Sequence, residues 1–219
     1  MATAEREGDP DLLLQALHVE WVGLCAKGQH RACLASCERG WAFYDPVRHS
    51  SHHLTFGAHD PGVCSRIQGA FALWCLGRPD RARVCYEQGL ALAQQLDQPL
   101  IVLHALAHGL LLLELRRDDD HLAVQAEEAL RLAVEQDTPN YRLEAQFMRA
   151  WLLGRSEPGE AVRLMQAGLE EHRGRGGMGI IPLYYSTLLA RAQARAGALG
   201  SRLIQIHQVT AMAIATAAA

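Results

Sequence analysis

Apolar residues along this chain recur at three- and four-residue spacings between short polar breaks, which is the period of helices that bury one face. The pattern predicts helices in pairs. Asp11 to Ala26 carries Leu12, Leu13, Ala16, Leu17, Val19 and Trp21, with Asp9 or Asp11 as its cap, and Gly28 breaks it. His30 to Phe43 returns with Ala32, Leu34, Ala35, Trp41 and Phe43 as its packing face. After an inserted segment, 44–62, come Val63 to Leu76 and Asp80 to Leu96, then Leu100 to Arg116 and His121 to Glu135. The last clear pair is Asn140 to Leu153 and Glu160 to His172, with Pro158 and Gly159 in its turn. No strand-like alternation occurs.

One helical hairpin is written clearly: Trp74, Leu76, Gly77, Pro79, Asp80, Ala82, Tyr86, Gly89 and Leu90. A second copy runs through Trp151, Leu153, Gly154, Glu160, Ala161, Gly168 and Leu169, and Gly28, Gly77, Arg117, Gly154 and Gly197 mark turns 37 to 49 residues apart. Such a unit cannot bury its apolar face alone, so several must stack into an extended surface. Small residues at Ala82, Ala123 and Ala161, followed by Gly89, Ala129 and Gly168, are expected where the second helix approaches the first closely.

Leu76-Gly77-Arg78-Pro79-Asp80-Arg81-Ala82 with Tyr86, Gly89 and Leu90 resembles the tetratricopeptide repeat. The resemblance implies an all-α, right-handed α-solenoid of about four to five stacked hairpins. It loosens at Gly154 to Leu169, where the turn is two residues longer, and at Arg117 to Leu130, which lacks the turn glycine. A narrower resemblance rests on Tyr44-Asp45-Pro46-Val47-Arg48-His49, His52-His53 and Gly57-Ala58-His59-Asp60-Pro61-Gly62-Val63-Cys64, leading into Ala72-Leu73-Trp74. This stretch is similar to the helical-repeat region at the C-terminal end of bacterial signalling proteins that join a class III adenylate or guanylate cyclase to a signal-transduction ATPase. That resemblance implies a regulatory or partner-docking module, and neither catalytic domain is present in this sequence. The domain reading is a flexible N-terminus over 1–10, a repeat domain over 11–198 and an atypical Ala-rich tail over 199–219.

Composition agrees with a self-sufficient helical core, since 219 residues at 49% hydrophobic bury on the order of 70% of their unfolded surface. A net charge of −3 with scattered arginines gives no electrostatic footprint for nucleic acid. Met1 to Pro10 holds Glu5, Arg6, Glu7 and Asp9 without an apolar segment, which is no secretory signal, so the expected location is the cytoplasm. The apolar run Leu100 to Leu113 is shorter than the roughly 20 residues that span a bilayer, and it reads as a buried helix without membrane contact. Ser201 to Ala219 has Arg202 as its only charge and offers no polar cap, so it reads either as the end of a truncated or frame-shifted relative of a longer protein or as an end open to self-association.

No residue set predicts catalysis or a bound cofactor. The only lysine, Lys27, precedes Gly28, the reverse of a phosphate-binding loop, and the run Gly174, Gly176, Gly177, Gly179 follows a helix and reads as an inter-repeat loop. Cys25, Cys33, Cys37, Cys64, Cys75 and Cys85 contain no Cys-x-x-Cys and read chiefly as reduced core side chains. The densest chemistry is His49, His52, His53, His59, Asp60 and Cys64, six possible metal ligands in one short segment whose spacing matches no known finger. The competing reading is an ordered loop with Asp60 as the N-cap of a helix that Pro61 opens. His104 and His108 share a helical face, but Ala105 replaces the glutamate of a hydrolytic zinc motif, so they are assigned to the packed lining of the repeat groove. The expected function is therefore a non-catalytic scaffold for a protein or peptide partner, with a metal- or small-ligand-binding protein built on His49 to Cys64 as the alternative.

Overall fold

The computed structural model describes residues 6, 8–49, 51–55, 59–175 and 180–197. Ten helices can be followed among them, with no strand: α1 (Pro10–Ala26), α2 (His30–Phe43), the single turn α3 (His52–Thr55), α4 (Pro61–Cys75), α5 (Pro79–Leu96), α6 (Pro99–Arg116), α7 (Asp119–Glu135), α8 (Pro139–Leu153), α9 (Pro158–Gly174) and α10 (Ile180–Arg195). The tail 199–219, with the self-association assigned to it, and Gly176, Gly177 and Gly179 lie outside the described residues, as does most of the N-terminal segment.

Six of the ten described helix starts share one feature. Proline occupies the first turn of α1, α4, α5, α6, α8 and α9, where its missing N–H is not needed and its fixed φ suits the helix. Pro158 thus belongs to α9 and not to the turn before it, and Pro61 opens α4 behind Asp60, two residues before the apolar run that begins at Val63. Asp9 caps α1 by accepting from Asp11 N–H at 2.8 Å, and Asp60 caps α4 by accepting from Val63 N–H at 2.9 Å. Left-handed backbone closes the turns at Gly28, Gly77, Arg117 and Gly197, and also at Asp97 and Asp137 between hairpins. Gly154 differs from the expected turn glycine. It is right-handed at φ −61, and its smallness serves packing, since an added Cβ would stand 3.3 Å from that of Ala161.

The chain forms two compact units, Met1–Asp118 and Asp119–Ala219. In the first, α1 pairs with α2 and α4 with α5, while α4 also packs on α1, α2 and α6. Its core joins Leu14, Leu17, Trp21, Cys33, Cys37, Val63, Ile67, Leu73, Ala82, Tyr86 and Ile101. Two expected faces are rotated. In α1 the buried stripe is Leu14, Leu17, His18, Trp21 and Cys25, leaving Leu12 and Val19 outside; in α2 it is Cys33, Leu34, Ser36, Cys37 and Gly40, leaving Ala32, Ala35 and Phe43 exposed. The rotation lets Trp21 lie on Gly40, where a Cβ would come within 2.6 Å of its ring. Helix α6 is long and apolar enough to cross a membrane by length and composition alone, yet most of it is buried within the protein.

In the second unit α8 packs on both α7 and α9, and α10 packs on α9 and α8. Ala129 and Ala161 are buried here, as Ala82 is in the first unit, whereas Ala123 is exposed. In α7 the position three residues after the helix start, which Ala82 and Ala161 hold in their helices, belongs to Leu122, and Ala126 supplies the next close approach. Gly89 is tight against Arg66 and Ile67, at 3.0 and 3.1 Å from an added Cβ. Gly168 has room for one, 3.9 Å from Phe147, so it is not needed for close approach.

Candidate functional site

Among the described residues, two places gather features that a ligand or partner could use. The first begins with the inserted segment. Asp45 turns the chain after α2 by accepting from the Val47 and Arg48 N–H groups at 2.8 and 3.0 Å, and its own N–H donates to His49 Nδ1 at 2.8 Å. That bond leaves the His49 proton on Nε2, which donates to Asp11 Oδ1 on α1 at 2.9 Å. Arg48 Nε reaches the same oxygen at 2.9 Å, and the guanidinium holds the Asp11 carboxyl below its usual range. Tyr44 lies across the start of α4: its hydroxyl donates to Asp60 Oδ2 at 2.9 Å, and a Cβ on Gly62 would fall 2.5 Å from its ring. The Tyr-Asp-Pro and His-Asp-Pro-Gly residues therefore tie the insert to α1 and α4.

The six ligand-type residues of this segment do not converge on one centre. His49 and His52 meet Asp11, whereas His59 and Cys64 meet His18; Asp60 is occupied as cap and phenol acceptor, and the His53 side chain lies outside the described residues. Each group is completed from α1, by Asp11, which the sequence reading considered only as a helix cap, and by His18, which it did not select. The available signal was His18 itself, a polar side chain within the apolar stripe Leu14, Leu17, Trp21 and Cys25.

From His18 a column of imidazoles runs through the first unit. His18 Nε2 is 2.9 Å from His59 Nε2; the His59 ring stacks on His104 at 4.2 Å and 3°; and His104 meets His108 at 4.3 Å. Burial pushes all four down, His18 and His108 to about 4, so the rings are neutral at physiological pH. His104 is buried and His108 half-buried, so the pair does not line an open groove as expected. The column places them in the interior, stacked behind His59.

Five cysteines are buried and Cys75 is exposed, and none is in a disulfide. Burial raises the Cys64 thiol to about 12 and the Cys85 thiol to about 11, which keeps both protonated while no cation is bound.

The second place is a cleft of about 790 Å³ on the unit 119–197, between α7, α8 and α9. Leu143, Phe147 and Ala150 form its buried floor, and Val124 and Leu164 stand exposed along its sides. Ion pairs edge it: Arg149 Nε to Glu127 Oε1 at 2.6 Å joins α8 to α7, and Arg142 to Glu171 at 3.2 Å joins α8 to α9. Gly168 lines this cleft, which accounts for the open space above it.

No family model matches the sequence, and no curated protein matches it. Solved structures do match. A kinesin light chain-like protein of Podosopora anserina with nearly identical tetratricopeptide-like repeats is 16% identical, with a TM-score of 0.56 over 93% of this chain and 96% of that one. A singly substituted form of the same protein is 17% identical, with a TM-score of 0.56 over 96% and 98%. At this identity the likeness concerns the fold: stacked helical hairpins of the tetratricopeptide-like class.

Proposed function

We propose that this protein is a non-catalytic docking scaffold that takes a peptide segment of a protein partner into the cleft between α7, α8 and α9. The observation that carries the reading is the cleft itself: an apolar floor, exposed Val124 and Leu164 on its sides, and charged pairs at its edges, on a fold whose hairpins present surfaces instead of enclosed pockets. Apolar anchors would enter over Phe147, while Glu127, Arg149 and Glu171 select the polar residues that flank them. The finer reading, a regulatory module for a nucleotide cyclase or a signalling ATPase, is supported by the resemblance carried by Tyr44 to Cys64.

A displayed-peptide selection on the purified full chain tests the docking role. Peptides enriched on the native protein should be lost from a Val124→Glu/Leu164→Glu variant, whose changes sit at exposed positions and leave the core intact. Enriched peptides that bind this variant equally well, or no enrichment at all, would overturn it.

A further inference from the structure

We propose that His18 Nε2, His59 Nε2 and Cys64 Sγ form a binding site for a divalent transition-metal ion, zinc by ligand preference. One donor atom from each of the three residues lies within 4.8 Å of the other two, and the residues come from three separate parts of the fold: α1, the segment before Asp60, and α4. Tetrahedral zinc, with bonds of about 2.0–2.3 Å, holds such nitrogen and sulfur atoms about 3.3–3.6 Å apart. His18 Nε2 and His59 Nε2 at 2.9 Å need to separate by only a few tenths of an ångström to admit the ion.

The surroundings orient these donors. Gln15 donates its amide N–H to His52 Nδ1 at 2.7 Å, which turns Gln15 Oε1 toward His18 Nδ1 at 3.4 Å. His18 then carries its proton on Nδ1 and aims the Nε2 lone pair at His59. A histidine whose second nitrogen donates to a fixed oxygen is the usual outer-shell arrangement of a metal ligand. Ring planes are held as well, His18 by Trp21 at 5.1 Å and His59 by the parallel face of His104.

The neighbouring group of Asp11, His49 and His52 does not have this character. Arg48 already neutralises Asp11, and the Asp45 N–H fixes the His49 proton on the nitrogen that faces the carboxylate. That group is a structural strap.

Cys64 gives up its thiol proton to solvent, His59 moves the proton that its Nε2 donates to His18 in the empty site onto Nδ1 so that Nε2 can coordinate, and the divalent ion with one thiolate leaves the site with a single positive charge. The three protein donors leave a fourth tetrahedral position to water or an incoming ligand. This site is independent of the docking cleft, so either can fail without the other.

Cobalt(II) alone, titrated into untagged, metal-stripped full-length protein, reads the site directly. One equivalent should produce a thiolate-to-cobalt charge-transfer band with strong tetrahedral visible absorption, and one equivalent of zinc should abolish both. Cys64→Ser should remove the charge-transfer band, and His18→Asn or His59→Asn should weaken binding on the order of 100-fold. Gln15→Leu should weaken it about 10- to 100-fold while leaving the band's shape intact, and His49→Asn should leave affinity unchanged. Absence of the band in the native protein overturns the proposal whatever the variants do. So does its persistence in Cys64→Ser, where another cysteine would be the ligand.

Discussion

Tyr44 and Asp60, sixteen residues apart, are joined by a 2.9 Å hydrogen bond in which the phenol donates to the carboxylate that caps α4. The phenol is held protonated, because burial first and the Asp60 charge second push its ionisation above the ordinary range. A donor to a buried carboxylate contributes about 1.5–3 kcal/mol net. Tyr44→Phe should lower unfolding free energy by that amount in urea titrations, with helical content unchanged in the folded baseline.

Tyr86 on α5 fills the space over Gly109 on α6, where an added Cβ would lie 2.1 Å from the hydroxyl and 2.3 Å from the ring carbon that bears it. Gly109→Ala should therefore destabilise by about 1–3 kcal/mol through overpacking. Pairing it with Tyr86→Leu should give a non-additive double-mutant cycle, because the smaller side chain vacates the clash. Additive costs would show that the two do not meet. Ala161, fully buried under Gly154, should respond to Ala161→Leu with a similar loss, read as a lower melting temperature.

Arg117 ends α6 at φ 58, in the left-handed region that Gly77 occupies at the corresponding turn after α4. A side chain there costs about 1–2 kcal/mol, offset in part by the greater freedom glycine brings to the unfolded chain. Arg117→Gly should raise stability by up to about 1 kcal/mol, whereas Gly77→Ala should lower it by about as much. Thermal denaturation of the two variants in parallel would check the opposite signs.

Glu144 on α8 is buried, its Oε2 has no hydrogen-bond partner among the described residues, and burial pushes its carboxyl from 4.5 up to about 8. Between those values the folded state holds a proton that the unfolded chain has released. The stability this group contributes is thus complete below about pH 4.5 and is lost as pH rises toward 8, at up to about 1.4 kcal/mol per unit. Glu144→Gln should flatten this part of the stability profile and leave the variant more stable than the native protein at pH 8. A parallel slope in both proteins would show that another group titrates.

Eight of the ten described helices and their order were legible in the sequence because they depend on local features, whereas the single turn α3 and the last helix, α10, were not anticipated. Apolar residues at helical spacing mark the buried faces and Gly28 and Gly77 mark the reversals, while the starts at Pro79, Pro99, Pro139 and Pro158 lie one or two residues before the expected ones. Asp60 before Pro61 was legible as a cap for the same reason, since its partner, Val63 N–H, is three residues away. Two faces were misjudged, in α1 and α2, because both sides of those helices carry apolar side chains and periodicity alone does not say which side meets the neighbour.

The site residues divide along the same line. Residue order alone established that histidines, an aspartate and a cysteine crowd the stretch between α2 and α4. Packing of the helices was needed to split them into two centres, to complete those centres with His18 and Asp11 from α1, and to set His104 behind His59 instead of along a groove. The cause is separation along the chain: helix propensity acts over a few residues, whereas the 2.9 Å between His18 and His59 spans 41 residues and exists only once α1 and α4 have packed.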